Sequence, residues 1–158
     1  MIQPNDNARK ILDALEFMTL ATADDNGQPW STPIAPIHLP GDYTYYWISW
    51  RDNQHSRNIH TNKKAFLSAF DATPDECGTS DGVYILGEVY EVNDEAEVDS
   101  VAAAANIAER ALDGSKAFLG TDPRRFYKLV PREIWLSADS DIDGKHIDIR
   151  VSAMEEVG

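Results

Sequence analysis

Two stretches constrain the fold more than any others: "YTYYWISW", residues 43–50, and "VYILGEVYEV", residues 83–92. Successive side chains of a strand point to opposite faces, so a strand with one wet face alternates apolar and polar residues. Here Tyr43, Tyr45, Trp47 and Ser49 share one face, while Tyr46, Ile48 and Trp50 share the other. The second stretch likewise has few solvent-type residues on either parity. Such strands are wrapped in a barrel or covered at a subunit interface.

The remaining elements fit a small barrel with helical flanks. Asn26-Gly27 is a strong hairpin signal that pairs Phe17–Ala23 with Pro29–Leu39. Further strands are expected at "AFLSAFD", "FYKLVPREIWLS" and "HIDIRV", with Pro131 marking a bulge or an edge. Asn5 to Asn7 offer caps for a first helix with an Ile11, Leu12 and Leu15 stripe. A longer helix runs from a capping box at Asp94 and Glu97 to a stop at Gly114. Its narrow face carries Val98, Val101, Ala105, Ala108 and Leu112.

At 158 residues the chain is long enough for one well-filled core. Its net charge of −13 argues against a nucleic-acid partner, because phosphate backbones need a basic face. No apolar run reaches membrane-spanning length, and "MIQPNDNARK" lacks the apolar core of a signal peptide. The single cysteine, Cys77, forms no internal disulfide, which suits a reducing cytoplasm. Acids on its N-terminal side raise a thiol's pKa, which argues against a nucleophile.

Against that acidic background, "HSRNIHTNKK", residues 55–64, stands out. With Arg51 it gathers four of the fourteen Lys and Arg and two of the four His, and Asp52 is the only nearby acid. Asp52 and Asn53 can cap a short helix, which places Ser56, Arg57 and Asn58 beside free backbone N–H groups. Hydroxyl, guanidinium and amide donors at a helix start suit a phosphate monoester, with Arg57 offering a fork to two oxygens. Lys63 or Lys64 adds charge from the far end. The competing reading is a solvated loop that only softens the acidic field. Two other features bear on a ligand. Pro33 and Pro36 make "WSTPIAPIHL" an edge or irregular strand with free backbone groups. The aromatic strand runs directly into the basic cluster.

In that order these segments resemble the pyridoxamine 5′-phosphate oxidase-like family of FMN-binding split barrels. The run "YYWISWRDNQHSRNIHTNKKAFLSAFD" is similar to the family's aromatic strand, Ser-Arg turn and following strand. "VYILGEVYEVNDEAEV", "FYKLVPREIWL" and "TLATADDNGQPWSTPIAP" resemble the next strand with its glycine, the last strand and the first hairpin. The resemblance covers most of residues 8 to 137. It implies a split β-barrel of about six to seven antiparallel strands with flanking helices, α+β and mainly β. The chain is then a single domain over 1–158, with 139–158 as closing hairpin and tail. It also implies a homodimer with FMN at the interface and a small-molecule substrate. Ser56, Arg57 and Asn58 would hold the phosphate, with Lys64 as an accessory contact. Thr32, Pro33 and Ile34 would contact the ring, Trp47 and Ser49 would line it, and Trp135 would be a wall from the partner.

The resemblance has gaps. The family's oxidases carry a basic C-terminal substrate motif and an Arg-rich second strand, and neither is present here. Related split barrels bind heme or the deazaflavin F420. The expected function is therefore an FMN-dependent oxidoreductase, with a non-catalytic flavin or heme store, or an F420-dependent reductase, as alternatives. No acid–base residue is assigned. Asp139, Asp141 and Asp143 open like a calcium loop, but Arg150 stands where a bidentate Glu is needed, so Asp143-Gly144 reads as a hairpin turn. His55 and His60, five apart, do not share a helix face for a metal. His55 reads as a solvated loop histidine, with a phosphate or flavin neighbour as the alternative.

Overall fold

The computed structural model describes residues 3–41, 43–70, 82–107 and 116–155. In chain order they form α1 (Asp6–Ala14), β1 (Met18–Ala23), β2 (Pro29–Ile34), β3 (Tyr45–Trp50) and α2 (Gln54–Thr61). There follow β4 (Lys64–Phe70), β5 (Gly82–Glu91), α3 (Glu95–Ala104), β6 (Arg124–Ile142) and β7 (Lys145–Ser152). The described strands make one antiparallel sheet in the order β2-β1-β4-β5-β6-β3, with β7 also paired to β6. This is the split-barrel architecture with flanking helices that the sequence leads one to expect. No helix among the described residues is long and apolar enough to cross a membrane.

The strand that is apolar on both faces lies between two cores. Tyr45 and Trp47 join Leu20, Leu67, Ile85 and Leu129 in the barrel interior, closed at one side by Ala8 and Leu12 of α1. Tyr46, on the opposite face, packs with Val98 and Val101 of α3 and with Phe118 and Phe126. Both faces of β3 are therefore covered as far as Ser49, for different reasons, while Trp50 at its end is 48% exposed.

Several local expectations are met in altered form. Asn5 caps α1, its Oδ1 accepting from the Ala8 N–H at 3.0 Å. Asp94 caps α3 through the Glu97 N–H at 2.9 Å, but the Glu97 carboxylate does not return to complete a box. It takes a proton donor from Tyr46 at 2.9 Å and an ion pair from Lys128 at 2.6 Å instead. The helix expected to reach Gly114 stops at Ala104, followed by Asn106 in the left-handed region (φ 54°). Ala108, Leu112, Gly114 and Cys77 lie outside the described residues. The strand expected over 29–39 ends at Ile34, where Pro33 and Pro36 interrupt the donors. Only Ile37 pairs beyond it, in a bridge to Tyr46.

Pro131 does sit at a bulge. Leu86 faces Glu133 and Gly87 faces Pro131, so Arg132 is the extra residue. Asp143 and Gly144, both at positive φ (53° and 72°), form the two-residue turn between β6 and β7.

Candidate functional site: a cationic cleft at the start of α2

The chain leaves β3 at Trp50 and turns at once into α2. The turn is held by the Asn53 N–H on the Trp50 carbonyl (3.1 Å) and the Arg51 N–H on the Pro123 carbonyl (2.9 Å). Asn53 occupies the N-cap position with extended backbone, yet its side chain makes no cap bond. The amide donates to Ser49 Oγ at 2.9 Å. The N–H groups of Gln54, His55 and Ser56 have no carbonyl one turn back, as at any helix start, and the Asn53 side chain does not cap them.

Beneath that first turn is a closed group of hydroxyls. Ser49 Oγ accepts from Asn53 and from Ser56 Oγ (3.2 Å) and lies 2.7 Å from His55 Nε2. His55 is buried, not solvated as its sequence context suggests, and burial lowers its pKa below the ordinary value. A neutral ring leaves Nε2 free to accept the Ser49 proton. Tyr127 lies beside these hydroxyls on the cleft wall, its phenol pushed up chiefly by burial and so protonated.

Above this floor opens a cleft of about 940 Å³. Arg51, Ser56, Arg57 and His60 line it from the helix side, with Lys63 at its far end. Val89, Tyr90 and Glu91 of β5, Tyr127 of β6 and the Thr121–Pro123 turn form the opposite wall. Three of its cations face two acids, Asp52 and Glu91. Glu91 is already held by Arg125 at 3.1 Å and by Arg51 at 3.5 Å. Lys63 Nζ lies 4.8 Å from the centre of the Tyr90 ring, a cation–π contact. Arg57 is exposed, and its guanidinium donates to the Asp52 carbonyl and to Gln54 Oε1.

The Thr121–Pro123 wall is rigid. Asp122, fully buried, takes the Phe118 N–H at 3.1 Å, the Arg124 N–H at 2.9 Å and the Arg124 guanidinium at 3.1 Å. Burial alone would raise its pKa, but the Arg124 and Phe118 hydrogen bonds outweigh it and hold the carboxyl below its usual value.

Of the residues the sequence points to, Ser56 and Arg57 line the cleft. Asn58 faces away, buried, with Oδ1 accepting from Gln54 (2.7 Å) and Nδ2 donating to Thr22 Oγ1 (3.1 Å). Ser49 lies under Ser56, and Trp47 is in the barrel interior, stacked on Tyr127 at 5.9 Å. Lys64, Thr32, Pro33, Ile34 and Trp135 are not on the cleft. Pro33 and Trp135 instead share the outer face of the sheet, in a row that runs Pro33, Thr19, Ser68, Tyr84, Trp135. That row holds no charge, and Trp135 stacks on Phe66 beside it at 6.3 Å. Tyr127, Tyr90 and the Thr121–Pro123 turn were not legible as site residues. They come from segments remote in sequence that only the strand register brings together.

Fold and cleft together define a split barrel with an anion-receptive groove at a strand-to-helix turn. The sequence pattern of the Pyridoxamine 5′-phosphate oxidase family matches residues 4–138, and the chain belongs to that family. No curated protein sequence matches it. Among solved structures it is similar to a protein of unknown function from Agrobacterium tumefaciens (24% identity, TM-score 0.62), covering 82% of this chain and 53% of that one. This chain thus spans about half the length of that relative. It is also similar to a FAD-binding protein from Mesorhizobium loti (16%, TM-score 0.62, 86% and 95% covered). A third is a heme-binding protein from Mycobacterium smegmatis (17%, TM-score 0.64, 97% and 60% covered). At these identities the structural likeness establishes the fold.

Proposed function

We propose that the protein binds FMN with its phosphate on Ser56 and Arg57, as a homodimeric flavoprotein acting on a small organic substrate. The observation that carries this reading is the concentration of Arg51, Arg57 and Lys63 around one cleft in a chain of net charge −13. The cleft's size falls in the range of cofactor sites, about 300–1,000 Å³. Its donors are a fork, a hydroxyl, an ammonium and uncapped helix N–H groups, the set a phosphate monoester needs.

When bound, FMN supplies the hydride or electron chemistry, and the protein supplies position and electrostatics. Arg57 forks two phosphate oxygens. Lys63 adds charge at the far end, and Asn58 fixes the helix from its buried side. The hydroxyl group of Ser49, Ser56 and Tyr127, held over neutral His55, keeps the seat in one geometry.

The homodimer is supported by the division of the remaining residues. Pro33 and Trp135 lie on an outer face away from the phosphate seat, in a row bordered by Arg150 over Tyr84, so a second chain packed on that face would bring its own ring wall to the cleft. Lys64, on the same outer face, enters the site by that route, while Thr32 and Ile34 point to the barrel side and would support β2 from within, and the whole of 1–158 acts as one flavin-binding domain. A heme-storing dimer is the second reading, favoured by the exposed His60 imidazole in the cleft and by the heme-binding relative.

The test is a titration of the purified protein with FMN, followed by flavin fluorescence, for wild type and Arg57→Ala. Saturable binding that Arg57→Ala weakens at least tenfold supports the seat. Equal affinity removes the phosphate role.

A further inference from the structure

The family match ends at residue 138, but the sheet continues. β6 runs on to Ile142, turns at Asp143-Gly144, and returns as β7. The two-residue turn fixes which backbone groups point where. Ile142 and Lys145 flank the turn as a hydrogen-bonded pair, so 145, 147, 149 and 151 bond to β6. Consistent with that parity, the Ala153 N–H bonds the Ile134 carbonyl at 2.9 Å. The N–H and C=O groups of 146, 148, 150 and 152 then face outward, and among the described residues no strand pairs with that edge.

Edge strands are commonly blunted by proline, bulges or a covering loop. β2, at one end of the sheet, carries Pro29 and Pro33. Over 145–152 β7 has no proline, no glycine and no register shift. Its apolar side chains are uncovered: Ile147 is 39% exposed, Ile149 37% and Val151 42%, with Ile142 at 48% beside them.

We propose that this edge pairs with the same edge of a second copy, antiparallel about a two-fold axis at Ile149. In that register Ile149 faces Ile149 of the other copy and Ile147 faces its Val151, while Asp148 faces its Arg150 and Arg150 its Asp148. The match is one of backbone and charge together. With Ile149 bonded to β6, pairs 148–150, 150–148, 146–152 and 152–146 fall on outward groups and exchange about eight hydrogen bonds. Slipping one copy by a single residue would aim the ladder at groups already used by β6. Slipping it by two moves the two-fold axis to Arg150 or Asp148, and sets either Arg150 opposite itself with Asp148 opposite Ser152, or Asp148 opposite itself. Neither Asp148 nor Arg150 is in a salt bridge within its own chain among the described residues. Arg150 lies flat over Tyr84, 3.9 Å from the ring centre, which holds its charge against the sheet beside the edge. The partner is a second copy because the edge is complementary to itself. Arg150 borders the outer face used in the homodimer above, but the edge pairing itself runs in the plane of the sheet, so the two contacts together give a tetramer.

The experiment is light scattering of the purified full chain on a sizing column over a range of loading concentrations. Asp148→Pro removes an outward N–H and leaves the β6 ladder intact. Asp148→Arg sets like charges across the two-fold axis, and Asp148→Arg with Arg150→Asp restores opposite ones. The expected result is that both single variants halve the wild-type mass, that the double exchange returns it, and that FMN affinity is unchanged throughout. A wild type of the same mass as Asp148→Pro overturns the proposal, as does a halved mass that the double exchange fails to restore. Loss of FMN binding in wild type would count against the flavin site and leave this contact standing.

Discussion

Gly87→Ala is the substitution whose outcome the structure fixes most sharply. Gly87 lies in β5 at the bulge opposite Pro131, just ahead of the Val89–Glu91 segment that walls the cleft. A Cβ built there would stand 2.5 Å from Leu129 Cδ2, 2.9 Å from Leu129 Cγ and 2.6 Å from the Val130 carbonyl oxygen. Real Cβ contacts essentially never fall below 3.0 Å, so the oxygen alone must retreat by at least 0.4 Å. It belongs to the β6 backbone, and Leu129 is fully buried in the barrel, so neither can swing aside. Overpacking of this kind costs about 1–3 kcal/mol, and two rigid neighbours place it at the top, about 3 kcal/mol. For a chain of this size that lowers Tm by about 6–12 °C. Gly82→Ala is the internal control. Its nearest neighbours, Ser137 Oγ at 2.8 Å and the Tyr84 hydroxyl at 3.1 Å, are side-chain tips that can move, so the change should stay within about 1 kcal/mol. Urea unfolding of both variants reads the difference. Equal midpoints would refute the reasoning about the bulge.

Arg57→Ala should weaken FMN binding by about 1.5–3 kcal/mol, roughly 10- to 150-fold, from lost charge-assisted bonds. Its urea midpoint should not move, because Arg57 is exposed, and a large drop would mean a structural role. His55 has a folded pKa below its unfolded value of 6.5, so the unfolded chain binds the extra proton first. Stability should fall as pH is lowered through 6.5 towards the folded pKa, and His55→Gln should flatten that part of the urea-midpoint profile. An unchanged slope would contradict a neutral His55. Asp122→Ala removes the carboxylate paired with Arg124 and the acceptor for two backbone N–H groups, and should cost about 3 kcal/mol. A shift below about 1 kcal/mol in chemical unfolding would show that the turn does not depend on this pair.

Much of the barrel could be read from local chemistry. Asn26-Gly27 and Asp143-Gly144 announce their hairpins because few other residues accept the positive φ values found at Gly27, Asp143 and Gly144. The double-sided apolar strand at 45–50 announces burial on both faces, which its two cores supply. The cleft was legible in outline, since Ser56 and Arg57 do line it. The rest of the cleft was not, because Tyr127 and Thr121 arrive through the β3–β6 pairing and the Asp122 turn, which carry no local motif. His55 misled for the same reason: its burial comes from Ser49, six residues away on another element, and not from its polar neighbours in sequence. The Asn53 cap is not made: its Nδ2 donates to Ser49, which holds the side chain towards β3 and away from the helix N–H groups.

The central claim is that the cleft above Ser56 and Arg57 holds a flavin phosphate. It is tested most directly by the absorbance spectrum of the protein after saturation with FMN and desalting. The account predicts a flavin spectrum at about one FMN per chain. A protein that emerges colourless, or that instead shows the Soret band of heme or the spectrum of a deazaflavin, would contradict it.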